Sequence, residues 1–86
     1  MVIQVERSFR GISERLAIRY LENLGGERTD EGLVEGDDWT VSLSSSTVQI
    51  GPTLQLTEVT VTFEGPEASL DVLIPRFARK AMRAGG

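Results

Sequence analysis

Eighty-six residues suit one domain, and a composition of 40% apolar and 26% charged residues is that of a globular chain rather than a disordered one. Thirteen acids against nine bases give a net charge of −4, which disfavours nucleic acid as the main partner, because that affinity rests on cations neutralising phosphates. With no Cys and no His there is no disulfide, thiol nucleophile or thiolate metal site, and the commonest general base and metal ligand are missing.

Residues 2–10 alternate, with Ile3, Val5 and Phe9 on one side and Gln4, Glu6, Ser8 and Arg10 on the other. That period predicts a strand with one buried face, ended by Gly11. From Ser13 the period becomes helical: Ile12, Leu16, Tyr20 and Leu24 sit four apart, and Ala17 and Leu21 fill the stripe. Ser13 is the expected N-cap, Glu14 suits the first turn, and Gly25-Gly26 supplies a left-handed stop.

Residues 27–38 are acidic, with Glu27, Asp30, Glu31, Glu35, Asp37 and Asp38 against Arg28 alone. A solvated loop with a short strand around Leu33-Val34 is preferred to a calcium loop, because the acids lack calcium-loop spacing and no closing Glu follows. Trp39, Val41 and Leu43 alternate with Thr40, Ser42 and Ser44 and predict a strand. Ser44-Ser45-Ser46-Thr47 reads as a turn, Val48 and Ile50 as the next strand, and Gly51-Pro52-Thr53 as another turn. In the last strand Leu54 and Leu56 have one parity while Val59, Val61 and Phe63 have the other, which predicts a β-bulge near Thr57-Glu58.

Gly65-Pro66 opens a second helix, with Glu67 in its first turn. Leu70, Leu73, Ile74, Phe77, Ala78, Ala81 and Met82 form its expected core stripe, which runs in phase through Pro75 and predicts a kink rather than a break. The fold class expected is α+β: a two-layer sandwich, with an antiparallel sheet of four to five strands and two helices on one face, in the order β-α-β-β-β-(β)-α. The other face would carry Thr40, Ser42, Ser44, Thr47, Gln49, Thr60 and Thr62 as plain solvated sheet. Residues 1–86 would be one domain with a short tail at 83–86.

The chemistry-bearing patterns are few. The nine glycines form neither a P-loop nor a GxGxxG motif, so no nucleotide or other cofactor is implied, and no carboxylate pair is singled out for acid–base work. No run approaches the ~20 apolar residues of a membrane span. The first residues have no basic n-region or long apolar h-region, so a cytoplasmic protein is expected, and without Cys, His or a paired carboxylate a non-enzymatic one. Against this background the C-terminal stretch stands out. Arg76, Arg79, Lys80 and Arg83 gather four cations with no acid between 76 and 86, and the stretch closes on Gly85-Gly86. The cations suit a helix C-terminus, and they equally suit docking to an acidic partner or to the chain's own 27–38 segment. The diglycine suits a helix stop, and it equally suits an unhindered carboxylate offered to an activating enzyme.

Phe9-Arg10-Gly11-Ile12, Tyr20-Leu21-Glu22-Asn23-Leu24-Gly25-Gly26, Val34-Glu35-Gly36-Asp37-Asp38-Trp39, Ile50-Gly51-Pro52 and Lys80-Ala81-Met82-Arg83-Ala84-Gly85-Gly86 resemble the archaeal family called MoaD-related C-terminal domain. That family is named for its attachment, in some proteins, to the small subunit of molybdopterin synthase. The chain is also similar to short archaeal proteins ending in Gly-Gly that are grouped with ubiquitin-like modifiers and sulfur carriers. The resemblance implies a part in molybdopterin cofactor biosynthesis and a protein partner, either an adenylating enzyme or a molybdopterin synthase subunit. It implies that Gly86, preceded by Gly85, is adenylated and then thiocarboxylated or joined to a lysine. The β-α-meander-α order departs from the ββαββ order of ubiquitin-like domains. The alternative is a structural interaction module that self-associates, as a homodimer, and whose C-terminus does no chemistry.

Overall fold

A computed structural model describes residues 1–85, with side chains through Met82. The order is β1 (Val2–Arg10), α1 (Glu14–Asn23), β2 (Glu27–Asp30), β3 (Leu33–Glu35), β4 (Thr40–Gln49), β5 (Gln55–Pro66) and α2 (Glu67–Gly85). The strands form one five-stranded sheet in the spatial order β1-β5-β4-β3-β2, and every neighbouring pair is antiparallel. Both helices cover one face, so the expected two-layer α+β sandwich is the fold.

The buried side chains come from both layers: Val34, Trp39, Val41, Leu43, Val59, Val61 and Phe63 from the sheet side, and Ile12, Ala17, Leu21, Leu70, Leu73, Phe77 and Ala81 from the helical side. Phe77 sits at the centre, edge-on to Phe9, Tyr20 and Phe63 at ring-centroid distances of 5.2, 6.2 and 5.7 Å. Such geometry sets a positive ring edge against a negative ring face and adds to the burial of area.

The ends of α1 follow the sequence. The Ser13 hydroxyl accepts from the Leu16 amide at 3.1 Å. At the other end, Gly25 takes φ +103° and donates to the Glu22 carbonyl, while Gly26 donates to the Leu21 carbonyl at 2.9 Å. These two bonds satisfy carbonyls that the helix end would otherwise leave open.

Four local expectations are corrected. The acidic segment is a β2–β3 hairpin rather than mostly loop: β2 is Glu27-Arg28-Thr29-Asp30, fully exposed and at the sheet edge, so it carries no apolar alternation to reveal it. Charges on such an edge discourage pairing with other chains. Residues 44–47 are not a turn. β4 runs unbroken from Thr40 to Gln49, held by its ladder to β5 rather than by side-chain burial.

The β5 bulge is absent as well, because the register stays constant from Thr40↔Glu64 to Gln49↔Gln55. Leu56 pairs with Val48 on the face away from the helices, which accounts for the parity change without any extra residue. Thr47 and Gln49 accordingly share the parity of Leu43 and not that of Ser42 and Ser44. Finally, Met82 is 71% exposed and Ala78 only half-buried, so the core stripe of α2 is Leu70, Leu73, Phe77 and Ala81, with Ile74 beside it. Positions 78 and 82 each lie one residue beyond 77 and 81, about 100° further round a 3.6-residue helix, and turn off the sheet.

Candidate functional site

The helical layer covers only part of the sheet, and α2 is the element that presents the expected docking residues. The stripe that buries Leu70, Leu73, Phe77 and Ala81 leaves Val72, Pro75, Arg76, Arg79 and Met82 on its outer side, with Lys80 half-buried between the two faces. Proline has no N–H, so the Asp71 carbonyl loses its helical donor, yet α2 continues through exposed Pro75 to Gly85.

Among the described residues the ion pair is Arg10–Glu58, at 3.0 Å on the open face of the sheet. Arg76, Arg79 and Lys80 therefore have no carboxylate within ion-pairing distance among those residues, although Asp37 and Asp38 of the 27–38 segment line the same cleft as Arg76. Arg83 belongs to α2 but its side chain lies outside the described residues, as does Gly86; Gly85 is the last residue of the helix.

The outer face is less polar than its cations suggest. Pro75, Ala78, Arg79 and Met82 line an open apolar depression, and Val72 is 53% exposed one turn earlier. Sequence reasoning placed Ala78 and Met82 in the core. Both fit the three-and-four spacing of the stripe, and only the width of the buried face puts them outside it.

Beside α2, Leu24, Trp39, Val72 and Leu73 floor a cleft of about 200 Å³, with Asp37, Asp38, Ser69 and Arg76 at its rim. The Ser69 hydroxyl donates to the Asp38 carboxylate at 2.5 Å and ties α2 to the β3–β4 turn. The cleft is smaller than the ~300–1,000 Å³ of ordinary small-molecule sites. No group of three acids that could hold a metal ion occurs among the described residues.

Trp39 explains this corner. An added Cβ on Gly26 would lie 2.7 Å from its ring, on Gly36 2.0 Å from its ring, and on Gly65 3.1 Å from its Cα and Cβ. Gly26 and Gly36 thus admit the indole, and Gly65 admits the Cα and Cβ of the same residue. Gly25-Gly26, which reads as one helix stop, divides the work: Gly25 turns the chain and Gly26 makes room.

The arrangement offers a convex, partly apolar, cationic helix face rather than a dry cavity with paired titratable groups. The family model described as archaeal MoaD-like protein matches residues 5–86. No curated protein matches the chain.

Proposed function

Since the chain belongs to the archaeal MoaD-like family, we propose that it is a small non-enzymatic carrier or modifier protein that docks onto a partner protein through the outer face of α2. Arg76, Arg79, Lys80 and Arg83 meet acids on the partner, and Val72, Pro75 and Met82 give the contact an apolar centre. The partner is an adenylating enzyme or a molybdopterin synthase subunit. The observation that carries this reading is that Arg76, Arg79 and Lys80, without an ion-pair partner among the described residues, share the helix that leads into Gly85.

Gly85-Gly86 is the reactive end in this proposal. The Gly86 carboxylate attacks the α-phosphorus of ATP, forming the acyl adenylate and releasing pyrophosphate. Sulfide (HS⁻) then displaces AMP and loses its proton to leave a thiocarboxylate, or a lysine amine displaces AMP and loses a proton to form an amide. Because α2 extends to Gly85, threading this end into an enzyme as extended chain requires the last helical turn to open.

The test uses the full chain with an N-terminal tag, expressed in an archaeal host, with intact-mass analysis and a blot for conjugates. Expected are a species with one oxygen replaced by sulfur, or a ladder of conjugates, each lost when Gly85 and Gly86 are deleted. R79E/K80E should retain the far-UV spectrum and lose the co-purifying partner. Neither modification in the wild-type chain, with nothing lost on the deletion, refutes the reactive end. The order β-α-β-β-β-β-α, unlike ββαββ, favours a second reading in that case: an interaction module whose terminus does no chemistry.

A further inference from the structure

We propose that the distal half of the β4–β5 hairpin is a homotypic interface, in which the outer edge of β4 pairs antiparallel with the same edge of a second copy. This inference rests on β4 alone and does not depend on α2 or on the chemistry of Gly86.

The hairpin extends beyond its neighbours in the sheet. On one side β1 ends at Arg10↔Glu58, with Gly11 donating a last bond to the Thr57 carbonyl; on the other β3 ends at Leu33↔Ser42, with Leu43 donating to the Gly32 carbonyl at 2.8 Å. Past those points β4 and β5 run on as a two-stranded arm, closed by the Ile50 amide donating to the Leu54 carbonyl at 2.7 Å. The molecule is accordingly 44 Å long and only 23 and 20 Å across.

The hydrogen-bond phase fixes which groups the arm leaves open. Ile50 bonds across to β5, and Leu43 bonds outward to Gly32. Alternation along an antiparallel strand then points the N–H and C=O of Ser45, Thr47 and Gln49 outward, and they have no main-chain partner among the described residues. Natural edges are commonly protected by charge, proline or a bulge. The arm of β4 carries none of them in its own sequence, and at its inner end the Ser45 hydroxyl donates to the Glu14 carboxylate at 3.3 Å. Residues 39–57 contain no Asp, Glu, Lys or Arg, and Pro52 lies in the tip. In a chain of net charge −4, the arm beyond Ser45 is where two copies meet the least like-charge repulsion.

One register uses every open group. Thr47 opposite the second copy's Thr47 places Ser45 opposite Gln49, so all three residues exchange both bonds across a two-fold axis. The paired segment is then 44–50, about 23 Å at ~3.3 Å per residue, and it ends where Gly32 already occupies Leu43. The face away from the helices is continuous across the axis. Val48 lies against Ser46 of the second copy and Ile50 against Ser44, extending the apolar patch of Val48, Ile50, Leu54 and Leu56 over two arms. Ile50 and Leu54 are 38% and 55% exposed in the single chain. A strip of this size falls well short of the ~800 Å² per partner of a standard interface, so the dimer is concentration-dependent.

The absence of native cysteine makes the register directly testable. A hydrogen-bonded antiparallel pair holds its Cα atoms ~5.5 Å apart, inside the ~4.4–6.8 Å window for a disulfide. The full chain carrying Thr47→Cys, mildly oxidised at high protein concentration, is expected to become mainly a covalent dimer. Thr57→Cys, three strand spacings from its counterpart, is expected to remain monomeric. Sedimentation equilibrium of the wild type should show a monomer–dimer equilibrium that T47K, with two ammonium groups at the axis, abolishes while its far-UV spectrum is unchanged. A strictly monomeric wild type, equal cross-linking at 47 and 57, or a T47K dimer as tight as the wild type would each overturn the proposal. So would occupation of the edge by an extended peptide of another protein in preference to a second copy.

Discussion

Phe77 is the side chain on which the presentation of α2 depends, and Phe77→Ala tests that dependence. The ring is fully buried and meets three other rings edge-on, from β1, α1 and β5. Truncating a buried Phe to Ala costs ~3–5 kcal/mol from lost transfer energy and the residual cavity. Each aromatic pair adds ~0.5–1.5 kcal/mol beyond area, although three pairs made by one ring do not add fully. The upper end, about 4–5 kcal/mol, is therefore expected. Total stability at this length is about 4–13 kcal/mol, so F77A should remove between about a third of it and nearly all of it. Phe77→Leu keeps most of the volume and loses the ring geometry, and should cost about 1–2 kcal/mol.

Urea titrations followed by far-UV circular dichroism would give both values from the midpoint shift at constant slope. At ~4–8 °C per kcal/mol, a thermal midpoint should fall by roughly 20 °C or more for the Ala variant. If F77A and F77L each cost under about 1 kcal/mol, α2 is not clamped by this ring, and the fixed presentation of Arg76, Arg79 and Lys80 loses its basis.

Gly36→Ala would push a methyl group to 2.0 Å from the Trp39 ring and should cost about 1–3 kcal/mol or more, with a red-shifted, broadened tryptophan emission; an unchanged spectrum and midpoint would contradict the tight packing. Ser13→Ala removes the acceptor for the Leu16 amide and should lower stability by ~1 kcal/mol, whereas S13D should restore it, both read from urea midpoints. Pro75→Ala returns a donor to the Asp71 carbonyl at an exposed site and should raise stability by about 1–3 kcal/mol. A lower urea midpoint for P75A would show that the proline shape is itself required there.

The elements read correctly from sequence are those whose burial alternates or recurs within the element. β1 shows period two and α1 shows period 3.6 with both ends marked by Ser13 and Gly25, so their limits are legible. β2 is exposed along its whole length, and nothing in Glu27-Arg28-Thr29-Asp30 distinguishes an edge strand from a loop. The serines of β4 carry turn propensity, and only the facing segment of β5 overrules it through the ladder; that pairing is non-local and leaves no mark in the serine run itself. The strand count survived because one strand was missed while another was read as two. For the candidate site, Arg76, Arg79 and Lys80 were legible as a charge asymmetry. The apolar element among them was not, because Ala78 and Met82 fit the core stripe until the width of the buried face is known. The kinship of Gly26, Gly36, Gly65 and Trp39 was equally invisible, since each glycine has a sufficient local explanation as a turn or an element end.

That glycine cradle makes the corner of the molecule between α1, α2 and the β3–β4 turn optically legible. Trp39 is the only tryptophan, and its ring is pressed against Gly26 and Gly36 at the floor of the cleft whose rim holds Asp38, Ser69 and Arg76. Because the indole is held against Gly26 and Gly36 and lines the cleft shared with α2, its emission is a native gauge of whether the first turns of α2 stay seated. A partner that grips α2 from outside would leave the signal in place. One that levers the helix off the sheet would wet the ring, and the two modes of engagement could be told apart in a cuvette without any label.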